Sequence, residues 1–122
     1  MKVAIVDCGT NTFNLLIAKI ADDGAWYFIF QTSHTVKLTP SSINKSIGFN
    51  RIARGIDALR SIKNTITNFH CDSTFAFATS GIREAENGLA FVKLAKKQLN
   101  LDIHLIDGLQ EAELIYLGVR KS

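Results

Sequence analysis

The chain opens with the stretch KVAIVDCGTNTFNLLIAKI, residues 2–20. Lys2–Asp7 is a short run rich in β-branched residues that ends at a carboxylate, which predicts a buried strand. Phe13–Ile20 is nearly continuous in apolar residues and predicts a second strand. The five residues between them, Cys-Gly-Thr-Asn-Thr, have the composition of a turn. The stretch therefore predicts two neighbouring strands joined by a short polar loop.

A third strand follows after a strong turn signal. Asp22-Asp23-Gly24 is typical of a tight hairpin, because aspartate and glycine tolerate the backbone angles that such turns require. The segment from Trp26 to about Ser33 is aromatic and rich in strand-forming residues. Three strands with short connections predict an antiparallel meander.

The hydrophobic spacing then changes from that of strands to that of a helix. Between Asn50 and Phe69 the apolar residues recur every three or four positions, which predicts one amphipathic helix whose basic residues lie largely off the apolar face (Arg51, Arg54, Arg60 and Lys63). Gly55 inside this helix costs about 1 kcal/mol relative to alanine, so it marks a place where the backbone is closely approached.

The second half of the chain alternates strands and helices. The segment Ser73–Thr79 predicts a strand, and Asn87 is predicted to cap a helix that ends near Leu99. A fifth strand is predicted at Leu101–Ile106, and Asp107-Gly108 is predicted to begin a last helix. The predicted order βββαβαβα corresponds to an α/β domain, residues 1–122, with helices packed on a mixed sheet.

Composition restricts the function classes and the compartment. Fourteen Lys and Arg against eleven Asp and Glu give a net charge of +3, which suits an anionic small molecule or a polyanion but is too weak to indicate nucleic acid. The apolar run Val3–Val6 is too short for a signal peptide, and no run approaches a membrane span. We expect a cytoplasmic protein without membrane association, in which Cys8 and Cys71 are free thiols.

The first candidate site is the loop after the first strand. Gly9 allows a ligand close to the backbone, and successive N–H groups in such a turn can bind an anion together with the Thr10 and Thr12 hydroxyls. Asp7 can hold a divalent cation directly or through water. The alternative is a tight hairpin in which Asp7 and Asn11 only hydrogen-bond the local backbone.

Two further candidates follow later strands. Arg83, in the segment 79–87, offers a planar fork suited to phosphate, although an ion pair with Glu84 or Glu86 is an equally good interpretation. Glu111, in the segment 106–114, can orient and deprotonate water, although a carboxylate near a helix start also serves simply to complement the helix dipole. All three candidates follow strand ends, where ligands of open α/β sheets bind.

Three motifs in this order resemble one family. Asp-x-Gly-Thr-Asn-Thr (residues 7–12), Ala-Thr-x-x-x-Arg-x-Ala-x-Asn (78–87) and Gly-x-x-Glu-Ala-x-Leu-x-Tyr-x-Gly-Val (108–119) are similar to those of the exopolyphosphatase/guanosine pentaphosphate phosphohydrolase family. The resemblance implies a ribonuclease-H-like domain of the actin-like ATPase superfamily, with five strands of which the first three are antiparallel.

The same resemblance implies a chemistry and a set of residues. Members of the family use Mg²⁺ to hydrolyse the terminal phosphoanhydride of polyphosphate or guanosine pentaphosphate, the latter a link to the stringent response. Residues 7–12 match the first phosphate-binding loop, which consists of Asp7, Cys8, Gly9, Thr10, Asn11 and Thr12. Arg83 matches a phosphate-contacting arginine, and Glu111 matches the catalytic base. Cys8 and Gln110 depart from the usual residues at their positions.

The resemblance also implies a larger molecule. The family's second glycine-rich phosphate loop would follow Ser122. We therefore expect this chain to be the N-terminal lobe of a longer enzyme, which a C-terminal lobe completes and which assembles as a homodimer.

Two other functions remain open. One is a non-catalytic sensor of guanosine nucleotides or polyphosphate, and the other is a small-molecule kinase of the same superfamily.

Overall fold

The computed structural model describes residues 1–38, 47–79, 82 and 87–106. Its elements, in chain order, are β1 (Lys2–Cys8), β2 (Thr12–Ile20), β3 (Trp26–Thr35), α1 (Phe49–Asn68), β4 (Ser73–Ala78), α2 (Gly88–Leu99) and β5 (Ile103–Leu105). This confirms the predicted order as far as the fifth strand. The helix predicted from Asp107 onward lies outside the described residues.

The strands form one mixed sheet in the order β3-β2-β1-β4-β5. The pairs β1–β2 and β2–β3 are antiparallel, and the pairs β1–β4 and β4–β5 are parallel. The predicted antiparallel meander is therefore confirmed, and so is the five-stranded mixed sheet that the resemblance implies.

The turn between β2 and β3 has the geometry that its sequence predicts. Gly24 has a φ angle of 85°, a left-handed conformation that glycine adopts without steric cost. Its N–H donates to the carbonyl of Ala21 over 2.9 Å, and a carboxylate oxygen of Asp23 accepts the N–H of Ala25 over 3.0 Å. The side chain of Asp23 thus supports the turn, as aspartate commonly does.

The core lies between one face of the sheet and the two described helices. Alternate residues of β1 are buried on this face, and the buried stripe of α1 packs against it. The two helices meet at Gly55, where an added Cβ would lie 3.1 Å from the Phe91 ring and 3.3 Å from the Leu38 side chain. The predicted close approach at Gly55 is confirmed, and it is made by side chains of the core.

The fifth strand is shorter than predicted because the end of α2 extends past its last helical residue. Asn100 adopts a left-handed conformation, with φ of 53°, and its N–H donates to the carbonyl of Lys96 over 3.0 Å. The N–H of Leu101 returns to the carbonyl of Ala95 over 3.5 Å. These contacts complete the helix terminus, so residues 101 and 102 do not join the sheet.

The two cysteines are free, as predicted, with Cys8 buried and Cys71 half-buried. In the part of the chain that the structure describes, no helix has an apolar stretch long enough to cross a membrane.

Candidate functional site

The parallel strands end in register at one edge of the sheet. Cys8 of β1 pairs with Ala78 of β4, and Ala78 pairs with Leu105 of β5. The N–H of Ile106 also donates to the carbonyl of Ala78 over 3.0 Å. The segments that lead into the three predicted motifs therefore leave the sheet side by side, as expected for strand ends that share a site. Arg83 and Glu111 themselves lie outside the described residues.

The loop between β1 and β2 is a tight hairpin closed at Gly9. Its N–H donates to the carbonyl of Thr12 over 3.1 Å. A Cβ on Gly9 would lie 3.0 Å from that carbonyl oxygen, a contact so tight that the Thr12 backbone would have to shift by a few tenths of an ångström. Glycine is therefore the residue that suits this closure, and the hairpin geometry of the simpler interpretation is present.

The far side of the loop is fixed by the residues that follow β3. The N–H groups of Val36 and Lys37 donate to the carbonyl of Asn11 over 2.8 and 3.1 Å, and the N–H of Leu38 donates to the carbonyl of Thr10. The side chains of Val36 and Leu38 are fully buried in the core. The loop is thus attached to a segment whose side chains are anchored in the core.

These bonds determine where the loop's N–H groups point. In a trans peptide the N–H of one residue points opposite to the carbonyl of the residue before it, and the described residues have no cis peptide bond. Since the carbonyls of Thr10 and Asn11 face residues 36–38, the N–H groups of Asn11 and Thr12 face the other way. An anion-binding nest is built from consecutive N–H groups, and this orientation is compatible with one.

Cys8 ends β1 beneath the loop and is fully buried. Burial raises the pKa of its thiol far above the ordinary range, and the negative charge of Asp7 raises that pKa further. A thiol in this state is a poor nucleophile and a poor metal ligand. Cys8 therefore contributes packing to the loop rather than reactivity.

Asp7 is half-buried at the end of the central strand, where it pairs with Asn14 of β2 and Phe77 of β4. The described residues contain no group of three or more side chains able to hold a metal ion. A single carboxylate nevertheless fits Mg²⁺, which commonly takes one or two protein carboxylates and keeps several waters.

Asn87 occupies the predicted N-cap position of α2, but its side chain has a different role. It makes no hydrogen bond to the first turn of the helix. Its Oδ1 accepts the N–H of Ile47 over 2.8 Å, and its Nδ2 donates to the carbonyl of Ile47 over 2.9 Å. The prediction of a capping side chain is wrong, because two backbone groups 40 residues away compete successfully for the amide.

An open cavity of about 590 Å³ lies next to the loop, lined by Asn11, Thr35, Lys37, Arg51 and Arg54. The three basic residues were not among the predicted site residues. The spacing of Arg51 and Arg54, three positions apart on one helix, was the available signal, because such residues are neighbours on a helix surface. Nothing in the sequence pattern brings Lys37 to them.

Comparison with known proteins gives consistent relatives. Exopolyphosphatase 1 of Mycobacterium tuberculosis is 28% identical over 128 residues, which cover 99% of this chain and 36% of the relative. A guanosine-5'-triphosphate,3'-diphosphate pyrophosphatase of Aeromonas hydrophila is 30% identical over 118 residues, which cover 95% of this chain and 23% of the relative. The chain thus spans between about a quarter and about a third of the length of these two proteins.

The fold agrees with that of a solved relative. The crystal structure of the Aquifex aeolicus member of the Ppx/GppA family superposes on this chain with a TM-score of 0.94 and 30% identity, over all of this chain and 40% of the other. The sequence model of the Ppx/GppA phosphatase family matches residues 16–122 of this chain. By this match, which includes most of the sequence, the chain belongs to the Ppx/GppA phosphatase family.

Proposed function

We propose that this chain forms one lobe of a phosphoanhydride hydrolase that releases the terminal phosphate of inorganic polyphosphate, guanosine pentaphosphate or both. The observation that carries the proposal is the β1–β2 loop. Its carbonyls are engaged by residues 36–38, so that the N–H groups of Asn11 and Thr12 face away from them. The names of the two relatives, an exopolyphosphatase and a guanosine pentaphosphate pyrophosphatase, support the choice of substrates.

The loop would hold the terminal phosphoryl group. Backbone dipoles that are already oriented stabilise negative charge without having to reorganise during the reaction. The Thr10 and Thr12 hydroxyls would add further donors. The attachment to buried Val36 and Leu38 supports a loop that keeps this arrangement whether or not a ligand is bound.

Two residues would act on the phosphoryl group from the neighbouring segments. Glu111 would position the attacking water and accept its proton as a general base. Arg83 would bind the phosphoryl oxygens with its guanidinium group and stabilise their charge in the transition state. The common edge at which residues 79 and 106 leave the sheet supports this assignment.

Asp7 would hold Mg²⁺ directly or through a water molecule. When bound, this ion would neutralise phosphate oxygens and orient the substrate. Asp7 would also keep its carboxylate at the strand end beside the loop, so that the charge of the ion lies close to the phosphate.

The rest of the active site would come from a second lobe. An enclosed cleft excludes water and fixes the reacting groups, and one lobe leaves the phosphate exposed on one side. The share of the relatives that the chain covers supports this division of the enzyme. We also propose that the complete protein is cytoplasmic and forms a homodimer.

The test is phosphate release by the longest natural form of the protein, with polyphosphate or guanosine pentaphosphate and with or without Mg²⁺. We expect release that requires Mg²⁺ and is lost in Gly9→Val, whose side chain would collide with the Thr12 carbonyl. Gly48→Ala, where a Cβ has nothing nearer than 4.0 Å, is the matched control and should keep activity. Binding without release would instead establish a sensor, and ATP-dependent phosphoryl transfer to an acceptor would establish a kinase.

A further inference from the structure

The strand β3 forms one edge of the sheet, and nothing in its sequence protects that edge. It is ten residues long, whereas an average strand has about 5–6, and its outer side has no partner strand among the described residues. Its sequence, WYFIFQTSHT, contains no Lys, Arg, Asp, Glu or Pro. Charged residues and proline are common means by which proteins prevent a further strand from pairing at an edge. The β3 edge is therefore open to a partner.

The first half of β3 exposes large apolar side chains. The exposed fraction is 55% for Tyr27, 53% for Phe28 and 41% for Ile29. Ile29 has no partner residue in β2, so it forms a bulge, with regular register on either side. Contiguous apolar residues on a protein surface commonly mark an interaction site, and aromatic residues supply much of the binding energy at such sites.

The two ends of β3 carry opposite charges. Asp22 and Asp23 are exposed in the turn before the strand, and Lys37 is exposed two residues after its end. A strand of this length spans about 30 Å, so the two charged ends are well separated. Lys19 pairs with Tyr27 but belongs to β2, one strand further from the edge. The β3 edge is thus acidic at one end, uncharged along its length and basic at the other end.

We infer that two copies of this chain associate through the β3 edge, with their β3 strands antiparallel about a two-fold axis. In a two-fold dimer the same surface meets itself, so a strand that packs beside its own copy runs antiparallel to it. The acidic turn at Asp22 of each copy then lies beside Lys37 of the other, and this favourable pair forms twice. A parallel arrangement would bring like charges together. The inference gives the proposed homodimer its interface, and to that extent it rests on the proposed function.

A lipid surface fits the β3 edge less well than a second copy does. Exposed aromatic residues also occur where proteins contact membranes. However, Asp22 and Asp23 adjoin the apolar residues, and anionic lipids would repel them. A second copy instead supplies a basic residue at this position.

The test measures the mass of the 122-residue chain by sedimentation equilibrium over a range of concentrations. We expect a reversible dimer. Phe28→Lys places a charge on the β3 edge and should weaken dimerisation at least about tenfold. Leu89→Lys is the matched control, because Leu89 is 56% exposed on α2, and it should leave dimerisation unchanged. Thermal unfolding of each variant establishes that it is folded.

Charge reversal tests the antiparallel arrangement itself. Asp22→Lys alone brings two lysines together at each end of the interface, and Lys37→Asp alone brings two carboxylates together. Each variant should therefore dimerise at least about tenfold more weakly. An equimolar mixture of the two variants should form a heterodimer, because both contacts then join opposite charges. Aspartate is suited to residue 37, whose φ angle of 51° is left-handed.

Three results would overturn the inference. They are an original chain that stays monomeric at about 1 mM, a dimer that Phe28→Lys leaves intact, and a mixture of the charge-reversed variants that stays monomeric. A monomeric chain that binds phosphatidylcholine vesicles, and loses this binding in Phe28→Lys, would assign the β3 edge to a lipid surface instead.

Phosphate release by the longest natural form separates this inference from the proposed hydrolase. Phosphate release with no dimer formed through β3 would keep the hydrolase and overturn the interface. Dimerisation that responds to Phe28→Lys and to the charge reversals, without any phosphate release, would keep the interface and remove the hydrolase.

Discussion

The side-chain amide of Asn87 binds both backbone polar groups of Ile47, accepting the N–H over 2.8 Å and donating to the carbonyl over 2.9 Å. Ile47 is buried just before α1, and Asn87 immediately precedes α2. One side chain therefore joins the starts of α1 and α2, the two helices that the structure describes. Asn87 is also the last residue of the second family-like motif, so its position in that motif has a structural explanation.

Replacement of Asn87 should destabilise the domain. Asn87→Ala leaves two backbone groups of Ile47 without partners, and we expect the free energy of unfolding to fall by about 1–3 kcal/mol. Asn87→Asp keeps the acceptor but places an oxygen against the Ile47 carbonyl, so it should also destabilise. Urea unfolding measures both. Asn64→Ala, at an exposed position of α1, serves as the control and should be neutral or slightly stabilising.

A side chain at residue 88 should be poorly tolerated. A Cβ on Gly88 would lie 1.9 Å from the carbonyl oxygen of Ile82, so the backbone would have to move. We expect Gly88→Ala to lower the free energy of unfolding by at least about 2 kcal/mol. Gly48→Ala, at the start of α1, has open space and should cost less than about 1 kcal/mol. Similar unfolding midpoints for the two variants would show that Ile82 does not constrain α2.

The main elements of the fold are predictable from the sequence because each has a local cause. The apolar runs of β1 and β2 and the turn at Asp22–Gly24 specify the meander without reference to distant residues. The spacing of apolar residues in α1 specifies its buried face in the same way. The start of β5 was less predictable, because the left-handed conformation of Asn100 extends the helix terminus through Leu101.

The candidate site was predictable only where it follows a strand. The loop at Gly9 is recognisable because turn residues follow a buried strand. The role of Asn87 and the cavity at Lys37 depend on contacts between residues far apart in sequence. The side chain of Asn87 could have capped its own helix, but in the folded domain it hydrogen-bonds the backbone of Ile47 instead. Sequence periodicity carries no information about such choices.

Stability should decrease at alkaline pH because of the buried thiol. The pKa of Cys8 is raised in the folded state, mainly by burial and then by Asp7, so the unfolded chain loses this proton first above pH ~8.5. The free energy of unfolding should then fall by up to about 1.4 kcal/mol per pH unit from Cys8. Half-buried Cys71 should also lower the free energy of unfolding at alkaline pH, because desolvation raises the pKa of its thiol in the folded state as well.

The measurement for Cys8 is urea unfolding between pH 7.5 and 10.5 in the presence of a reductant. The difference between the original chain and Cys8→Ala isolates the contribution of this thiol. A difference that stays constant across this range would contradict a buried, protonated Cys8.

Turnover should depend on Glu111 far more than substrate binding does. Glu111→Gln keeps the shape of the side chain but cannot accept a proton from water, and general-base catalysis typically contributes ~10²–10⁴-fold. We expect kcat of the longest natural form to fall by that factor while substrate affinity stays within a few fold. Glu113→Gln, two positions further along, is the control. A Glu111→Gln enzyme with more than about a tenth of normal turnover would exclude the assigned role.

The 122-residue chain alone should bind phosphate without hydrolysing polyphosphate. One lobe leaves the phosphate in contact with water, so we expect binding at the millimolar level, about −4 kcal/mol, and no appreciable turnover with Mg²⁺. Phosphate release is the measurement, and a Glu111→Gln preparation reveals contaminating phosphatase. Robust release that disappears in that preparation would show that one lobe suffices.

The backbone hydrogen bonds that the structure describes for the β1–β2 loop join residues within the first 38 of the chain. Gly9 bonds Thr12, and the carbonyls of Thr10 and Asn11 receive their donors from residues 36–38. Contacts between residues close in sequence form early, because little chain entropy is lost in making them. During synthesis, the backbone of the proposed phosphate site can therefore assemble on the emerging meander before α1 and α2 leave the ribosome to cover it.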